Sequence, residues 1–288
     1  MKDAVLPLLE QVYGQPVDIT GALAQSGGSI NQAFRLDLSN GESIFLKHHP
    51  NPPEGFFSKE AAGLSLLADA ASGFRVPEPL AFDVHYLLIE YVEEIPAGRP
   101  FYPMFARALA RLHQNTNDNH GLDQDNYIGE IPQVNTPEKN GLVFFRDHRL
   151  GFQQRLARES GNLPADLDKR IDRLRETLAD HLGPLNEPPA LLHGDLWSGN
   201  YFSTLGQTPC IFDPAVYFGP READLAMTEL FGRLPQAFYD AYNEAFPLLP
   251  GYEGRKPIYN LYHLLNHLNL FGGSYLASVA SVVNSYTR

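Results

Sequence analysis

The chain has 288 residues, 43% of them hydrophobic, and a formal net charge of -12. That length and apolar content suffice for a large buried core, while the acidic excess argues against nucleic acid or an anionic membrane surface and leaves a small molecule as the expected partner. No apolar run suggests a membrane span, the first residues lack the apolar core of a secretion signal, and the lone Cys210 cannot form an internal disulfide, so the cytoplasm is the expected compartment.

Val5, Leu6, Leu9 and Val12 have the spacing of a short amphipathic helix that Gly14 and Pro16 end. Residues 19–49 turn strand-like, with a Gly-bearing turn at 26–29 and an Asn40-Gly41 hairpin signal between residues 36–38 and 43–47. Helical spacing returns over 57–71, with Ala61, Leu64 and Leu67 on the apolar face. A strand over 86–92 then runs into Pro96-Ala97-Gly98, which places a hinge near residues 90–98. Beyond it the pattern is mostly helical. One helix is expected over 105–113, another carries the stripe Leu167, Ile171, Leu174, Leu178 and Leu182, and others fall at 222–231, 235–246 and 257–286, the last bent at Gly272-Gly273. Cys210, between Pro209 and Ile211-Phe212, reads as a small buried thiol on a short strand. The expected architecture is α+β and bilobal: a small antiparallel-sheet lobe over 1–92 and a larger, mainly helical lobe over 93–288, with a cleft between them.

The chemistry-bearing segment is His193-Gly194-Asp195-Leu196-Trp197-Ser198-Gly199-Asn200, followed by Ile211-Phe212-Asp213-Pro214. Asp195 and Asn200 stand five positions apart, as do the base and the metal-binding asparagine in the kinase pattern H-R-D-L-x-x-x-N. In this reading Asp195 accepts the proton of an attacking hydroxyl, and Asn200 and Asp213 supply hard oxygen ligands to magnesium. His193 organises the loop. Lys47, at the end of an apolar strand, is expected to reach the nucleotide phosphates, with Glu60 on the following helix fixing its ammonium. Gly27 and Gly28 permit a close turn around nucleotide, with the backbone of Gly28, Ser29, Ile30 and Asn31 near phosphate, although this is not a full G-x-G-x-x-G. Ile89, Glu90, Tyr91 and Val92 form the expected connector beside adenine. Asp224 reads equally as a support or acceptor-site residue and as a helix-surface carboxylate, and His113 more readily as a hydrogen-bonded structural histidine than as a catalytic one. His263 and His267 share a helix face without a zinc motif. Trp197, Tyr262 and Tyr275 are candidates for the acceptor side of the cleft, against plain aromatic packing.

Taken together, these residues resemble the fructosamine kinase, or ketosamine kinase, family within the aminoglycoside-phosphotransferase and choline-kinase-like fold group. The resemblance runs along nearly the whole chain: Gly27 to Asn31, Phe45-Leu46-Lys47, Asp125-Asn126-Tyr127-Ile128-Gly129, Pro132-Gln133-Val134-Asn135, Phe144 to Leu150, His193 to Asn200, Phe212 to Ala215, Gly219 to Met227 and Asn266 to Tyr275. It implies a bilobal protein-kinase-like fold and an ATP- and magnesium-dependent kinase. It further implies transfer of the γ-phosphoryl group to the 3-hydroxyl of a fructosamine or ribulosamine, with a deglycation role. Asp195 is then the base, Asn200 and Asp213 the metal ligands, Lys47 the phosphate-binding lysine and Glu60 its partner. The implied acceptor is a small ketosamine or glycated amine, with glycated protein a further acceptor of the same chemistry. One departure stands out: the family's N-T-W-x-x-x-W-x-x-F-F reads N-T-P-E-K-N-G-L-V-F-F here, so Pro137 and Gly141 replace two aromatics, which suggests altered acceptor selection.

The nearest alternatives are an aminoglycoside or other small-hydroxyl phosphotransferase, which would use the same carboxylates, and a noncatalytic nucleotide-binding protein. A protein kinase fits less well. Gly194 replaces the Arg of H-R-D, Asp213-Pro214 replaces Asp-Phe-Gly, and no A-P-E follows.

Overall fold

A computed structural model describes residues 2–25 and 31–287. The N-terminal part comprises α1 (Lys2–Tyr13), β1 (Ile19–Gln25), β2 (Gln32–Leu38), β3 (Ser43–His48), α2 (Phe56–Asp69), β4 (Pro79–Phe82) and β5 (Tyr86–Glu90). The five strands form one antiparallel sheet in the order β1-β2-β3-β5-β4. Period-two alternation divides β3 between two environments. Ile44 and Leu46 join Leu36, Leu38 and Leu88 against Val5, Leu8 and Leu9 of α1, whereas Phe45 and Lys47 point to the opposite face, where Leu87 and Ile89 pack on Phe57, Ala61 and Leu64 of α2. The Asn40-Gly41 turn joins β2 to β3 as its sequence predicts, with Gly41 at a φ of +89° that suits glycine. Strand β4 is an addition to the expected set.

The C-terminal part begins with α3 (Phe101–Leu112), the hairpin β6 (Asn126–Ile128) and β7 (Ile131–Gln133), α4 (Gly141–Phe144), a π-helical stretch at Phe145–Gly151, and α5 (Phe152–Glu159). It continues through α6 (Ala165–Glu176), α7 (Leu178–Leu182), β8 (Ala190–Leu192), β9 (Tyr201–Thr204), β10 (Thr208–Ile211), β11 (Tyr217–Gly219), α8 (Glu222–Leu230), α9 (Gln236–Ala245), α10 (Tyr252–Phe271) and α11 (Leu276–Tyr286). The stripe Leu167, Ile171, Leu174, Leu178 and Leu182 is buried in one core but belongs to two helices, α6 and α7, because the backbone leaves helical geometry at Thr177. The long C-terminal helix is likewise divided, since Gly272 takes a φ of +80° between α10 and α11.

Two short ladders position the site. Strand β8 pairs with β11, and the hairpin of β9 and β10 lies between them in sequence, so residues 193–200 and 212–216 are held side by side. Helix α2 closes over the second of these segments at Gly63, where an added Cβ would meet Pro214 Cγ and Val216 Cγ2 at 3.3 Å. The absent side chain lets the helix bring Glu60 to Lys47, which also reaches Asp213.

Candidate active site

A cleft of about 810 Å³ separates the sheet from the helical part, and Lys47, Glu60, Asp195, Asn200 and Asp213 all line it. Lys47 is buried at its floor, and its Nζ donates to both Glu60 Oε1 and Asp213 Oδ1. Burial opposes the ammonium charge, but the two carboxylates together hold its pKa above the ordinary lysine value. Glu60 moves upward, chiefly through burial and despite Lys47. Lys59 also lines the cleft, with its ammonium 4.7 Å from the Tyr127 ring centroid.

Asp195 is joined to Asn200, whose Nδ2 donates to the Asp195 carbonyl at 2.8 Å and to its Oδ2 at 3.1 Å. The Asn200 peptide closes the loop, its N–H donating to Trp197 O at 3.0 Å and its carbonyl accepting from Phe212 N–H at 3.1 Å. Burial, and then the charge of Asp213, push the Asp195 carboxyl up to about 7. Asp213 itself sits at a φ of +55°, a left-handed conformation costly for a residue with a side chain, and it turns the carboxylate into the cleft.

The backbone carrying Asp195 is anchored from below by Asp224 on α8. Its Oδ2 accepts the His193 N–H at 2.8 Å and its Oδ1 the Gly194 N–H at 2.9 Å, while His113 Nε2 lies 3.2 Å away. Burial alone would raise this carboxyl, yet the hydrogen bonds it accepts, from His113 first and from the Gly194 amide, bring it below the usual value. Burial lowers His113, so the neutral ring donates from Nε2 to Asp224 and accepts the Tyr242 hydroxyl at Nδ1, 2.7 Å away. Asp224 is therefore a buried support, not a helix-surface group. His193 organises the turn in the same neutral state, with Nε2 donating to Phe212 O at 2.9 Å and Nδ1 accepting the Asp195 N–H at 3.2 Å.

Of the other expected residues, Asn31, Ile89, Glu90, Tyr91 and Val92 line the cleft, while Gly27, Gly28, Ser29 and Ile30 lie outside the described residues. Trp197 and Tyr275 line the cleft beside Phe231 and His267, whose ring centroids stand 4.8 Å apart. Tyr262 lies behind the cleft, buried, with its hydroxyl donating to Gln133 Oε1 at 2.8 Å. Pro137 and Gly141 are also off the cleft wall. Gly141 faces His120, whose Nε2 an added Cβ would meet at 2.6 Å, so histidine occupies the space beside this position. Two groups had no assigned part in the sequence reading. His263 Nδ1 stands 3.9 Å from Asp195 Oδ1, its pKa depressed to about 3 by burial, and Gln133 and Asn126 are buried polar residues on three-residue strands too short for periodicity to expose.

The fructosamine kinase family model matches residues 1–288. The chain belongs to the fructosamine kinase family. A Synechocystis protein assigned as a ketoamine kinase is 41% identical over 286 residues, covering 97% of this chain and 95% of its own. The chloroplastic protein-ribulosamine 3-kinase of Arabidopsis thaliana is 36% identical over 286 residues, covering 96% of this chain and 85% of its own. Among solved structures, a Thermobifida fusca protein assigned as a fructosamine-3-kinase superposes with a TM-score of 0.89 at 31% identity, covering 99% of this chain and 98% of its own. Choline kinase from Streptococcus pneumoniae, at a TM-score of 0.69 and 15% identity over 99% of both chains, extends the likeness in fold alone. The family member described here is thus a kinase with an α+β, protein-kinase-like fold. Among its described residues no helix is long and apolar enough to cross a membrane.

Proposed function

We propose that this protein is a ketosamine 3-kinase that uses ATP and magnesium to phosphorylate the 3-hydroxyl of fructosamine or ribulosamine adducts. The observation that carries the mechanism is the convergence of Asp195, Asn200 and Asp213 on one wall of the cleft, with Lys47 reaching Asp213 from the other. The donor set fits magnesium: Asp213 offers carboxylate oxygens, and Asn200, which spends its Nδ2 on Asp195, turns its amide oxygen the other way. Bound there, the cation would neutralise phosphate charge. Lys47, oriented by Glu60, would hold the phosphates on the sheet side. The carboxylate of Asp195 accepts the proton of the acceptor hydroxyl while that oxygen bonds to the γ-phosphorus and the bond from phosphorus to the departing ADP oxygen breaks.

The acceptor class rests on the family and on the relatives named for ketoamine and ribulosamine. A phosphate ester at C3 leaves more readily than hydroxide: a C1 proton acidified by the C2 keto group is lost, inorganic phosphate departs from C3, and water hydrolyses the resulting C1 imine to free the amine, which makes deglycation the role. We place the nucleotide-binding lobe at residues 1–92 and the acceptor-binding lobe at 93–288, and the enzyme in the cytoplasm, where ATP, magnesium and glycated amines occur together. Incubation with Mg-ATP and a panel of free and protein-linked ketosamines, read by mass spectrometry with NMR location of the phosphate, tests the assignment. Phosphate on O3 is expected. Efficient phosphorylation of an aminoglycoside or another alcohol, with none of the ketosamines, overturns it.

A further inference from the structure

Of the segments 125–135 and 144–150 only residues 126–129 line the cleft, yet together the two segments build a continuous polar chain inside the protein. Arg149, on the π-helical stretch, is fully buried with its guanidinium carbon 4.0 Å from the Tyr217 ring centroid and 4.5 Å from that of Phe144. Among the described residues no carboxylate pairs with it, and its donors go to Val134 O and to Asn135 Oδ1, the latter at 2.8 Å. A guanidinium can only donate. Asn135 must therefore turn its oxygen to Arg149 and its Nδ2 outward, to Asn126 Oδ1 at 2.8 Å. That in turn directs Asn126 Nδ2 to Val216 O at 2.9 Å. Gln133 is oriented from its other end, because its Oε1 receives the Tyr262 hydroxyl at 2.8 Å. Its Nε2 donates to Asn126 Oδ1 and to Ala215 O, each at 2.9 Å.

The two carbonyls at the end of this chain belong to the segment that follows Asp213. The Ala215 peptide is also where that segment meets the loop of Asp195. Its N–H donates to His193 O at 2.9 Å, and its carbonyl oxygen lies where a Cβ on Gly194 would approach to 2.0 Å. A shift at Ala215 must therefore move Asp213 and Asp195 relative to each other. Burying a guanidinium without a carboxylate is costly, and an apolar core would fill this space at less expense. What the polar chain supplies is direction: each amide has one orientation, and the last two donors point at Ala215 O and Val216 O.

We infer that Gln133 and Asn126 are positioning residues that hold the Ala215 and Val216 carbonyls and thereby set the spacing between the metal-binding Asp213 and the base Asp195. The inference rests on the metal and base roles proposed above. Neither residue touches the reacting atoms through these bonds.

The test compares two substitutions that break hydrogen bonds at opposite ends of the Gln133 side chain, one at Gln133 itself and one at its partner Tyr262. Gln133→Met removes the donor to Ala215 O at nearly constant volume, whereas Tyr262→Phe removes only the partner on the far side of Gln133. Calorimetry of ADP binding with and without magnesium, kcat, KM for a ketosamine and the unfolding midpoint are measured for each. Gln133→Met is expected to keep metal-free ADP affinity and acceptor KM within about twofold, to lose about tenfold of the affinity that magnesium adds, and to lower kcat about tenfold to a hundredfold. Tyr262→Phe is expected to lower the unfolding midpoint by a similar amount but to keep the magnesium gain within about twofold. If Gln133→Met does not fold, Asn126→Ser, which withdraws the donor to Val216 O, gives the same reading. A magnesium gain and kcat that persist in the Gln133 or Asn126 variant overturn the inference alone, as does an equal loss in Tyr262→Phe. Absence of any magnesium gain in the unaltered protein overturns the metal assignment and this inference with it.

Discussion

Asp195 is the residue on which the proposed chemistry turns, and its surroundings make its protonation depend on the cation. Burial and the charge of Asp213 raise its carboxyl to about 7 in the protein without metal. A base must be ionised, so kcat/KM should rise with pH through the Asp195 midpoint, and a cation held by Asn200 and Asp213 lowers that midpoint by favouring the charged form. The acid limb of the pH–rate profile is expected between the ordinary aspartate value and about 7, moving down as magnesium is raised. An acid limb indifferent to magnesium would contradict this coupling. Replacing the carboxylate by an amide, Asp195→Asn, should lower kcat by roughly 10²- to 10⁴-fold while Mg-ADP affinity measured by calorimetry stays within about twofold.

At the scale of elements, the site depends on two close approaches. Helix α8 delivers Asp224 to the His193 and Gly194 amides, and removing that carboxylate strands two buried N–H groups and the His113 ring. Asp224→Ala is expected to cost about 3–5 kcal/mol in urea unfolding. The sign with pH follows from the lowered folded pKa: the stabilisation is complete above the unfolded carboxylate value and is lost as pH falls through the lower folded value. The deficit of Asp224→Asn relative to the parent should therefore be larger at neutral pH than in strong acid. Helix α2 makes the other approach, at Gly63. A Gly63→Val side chain cannot share the space held by Pro214 and Val216, so α2 must lift, drawing Glu60 away from Lys47. Raised KM for ATP together with a loss of about 1–3 kcal/mol of stability is the expected result, and unchanged KM would separate Gly63 from the site.

The same elements explain which parts of the molecule were legible in the sequence. Lys47, Glu60, Asp195, Asn200 and Asp213 could be read because phosphoryl transfer demands particular groups in a particular order, and the structure gathers all five in one cleft. The β2–β3 hairpin was readable because Asn40-Gly41 encodes its turn locally. Strands of three or four residues such as β6, β7, β8 and β11 have no usable period, since their pairing is decided by contacts distant in sequence. Tyr262 and Asp224 show a related limit. An aromatic or acidic residue on a helix signals neither whether its helix face meets the cleft nor what lies beneath it, and both proved to be buried supports.

Across the whole molecule, the Lys47–Asp213 pair ties the sheet to the helical part from inside the cleft, and it is accompanied by other ties, among them the backbone bonds of Arg75 to Pro209 O at 2.9 Å and from Ile211 N–H at 3.0 Å. The β6–β7 hairpin reaches back to the sheet side through His49–Glu130 at 2.7 Å, the Tyr127 hydroxyl on Glu54 O at 2.8 Å and the Phe56–Tyr127 ring contact at 5.5 Å. Removing Lys47 therefore should not release the two parts, because the hairpin and Arg75 contacts remain, but it removes the cation proposed to hold the phosphates. Ligand that binds only the folded state stabilises it by RT ln(1 + [L]/Kd), about 2.7 kcal/mol at a hundredfold excess over Kd. The parent should gain several degrees in unfolding temperature from saturating Mg-ADP. Lys47→Met should lose most of that gain while its ligand-free midpoint falls far less than a broken buried pair normally implies. Glu60, already biased upward by burial, can take up a proton when the ammonium is gone, and Asp213 faces the cleft, where water and ions can reach it. A thermal scan of both proteins with and without Mg-ADP measures the two quantities together. Retention of the full nucleotide shift in Lys47→Met would remove Lys47 from the phosphate site, and a collapse of the ligand-free midpoint would mean that the Lys47–Asp213 pair, rather than the hairpin, the Arg75 bonds and the shared apolar core, holds the two parts together.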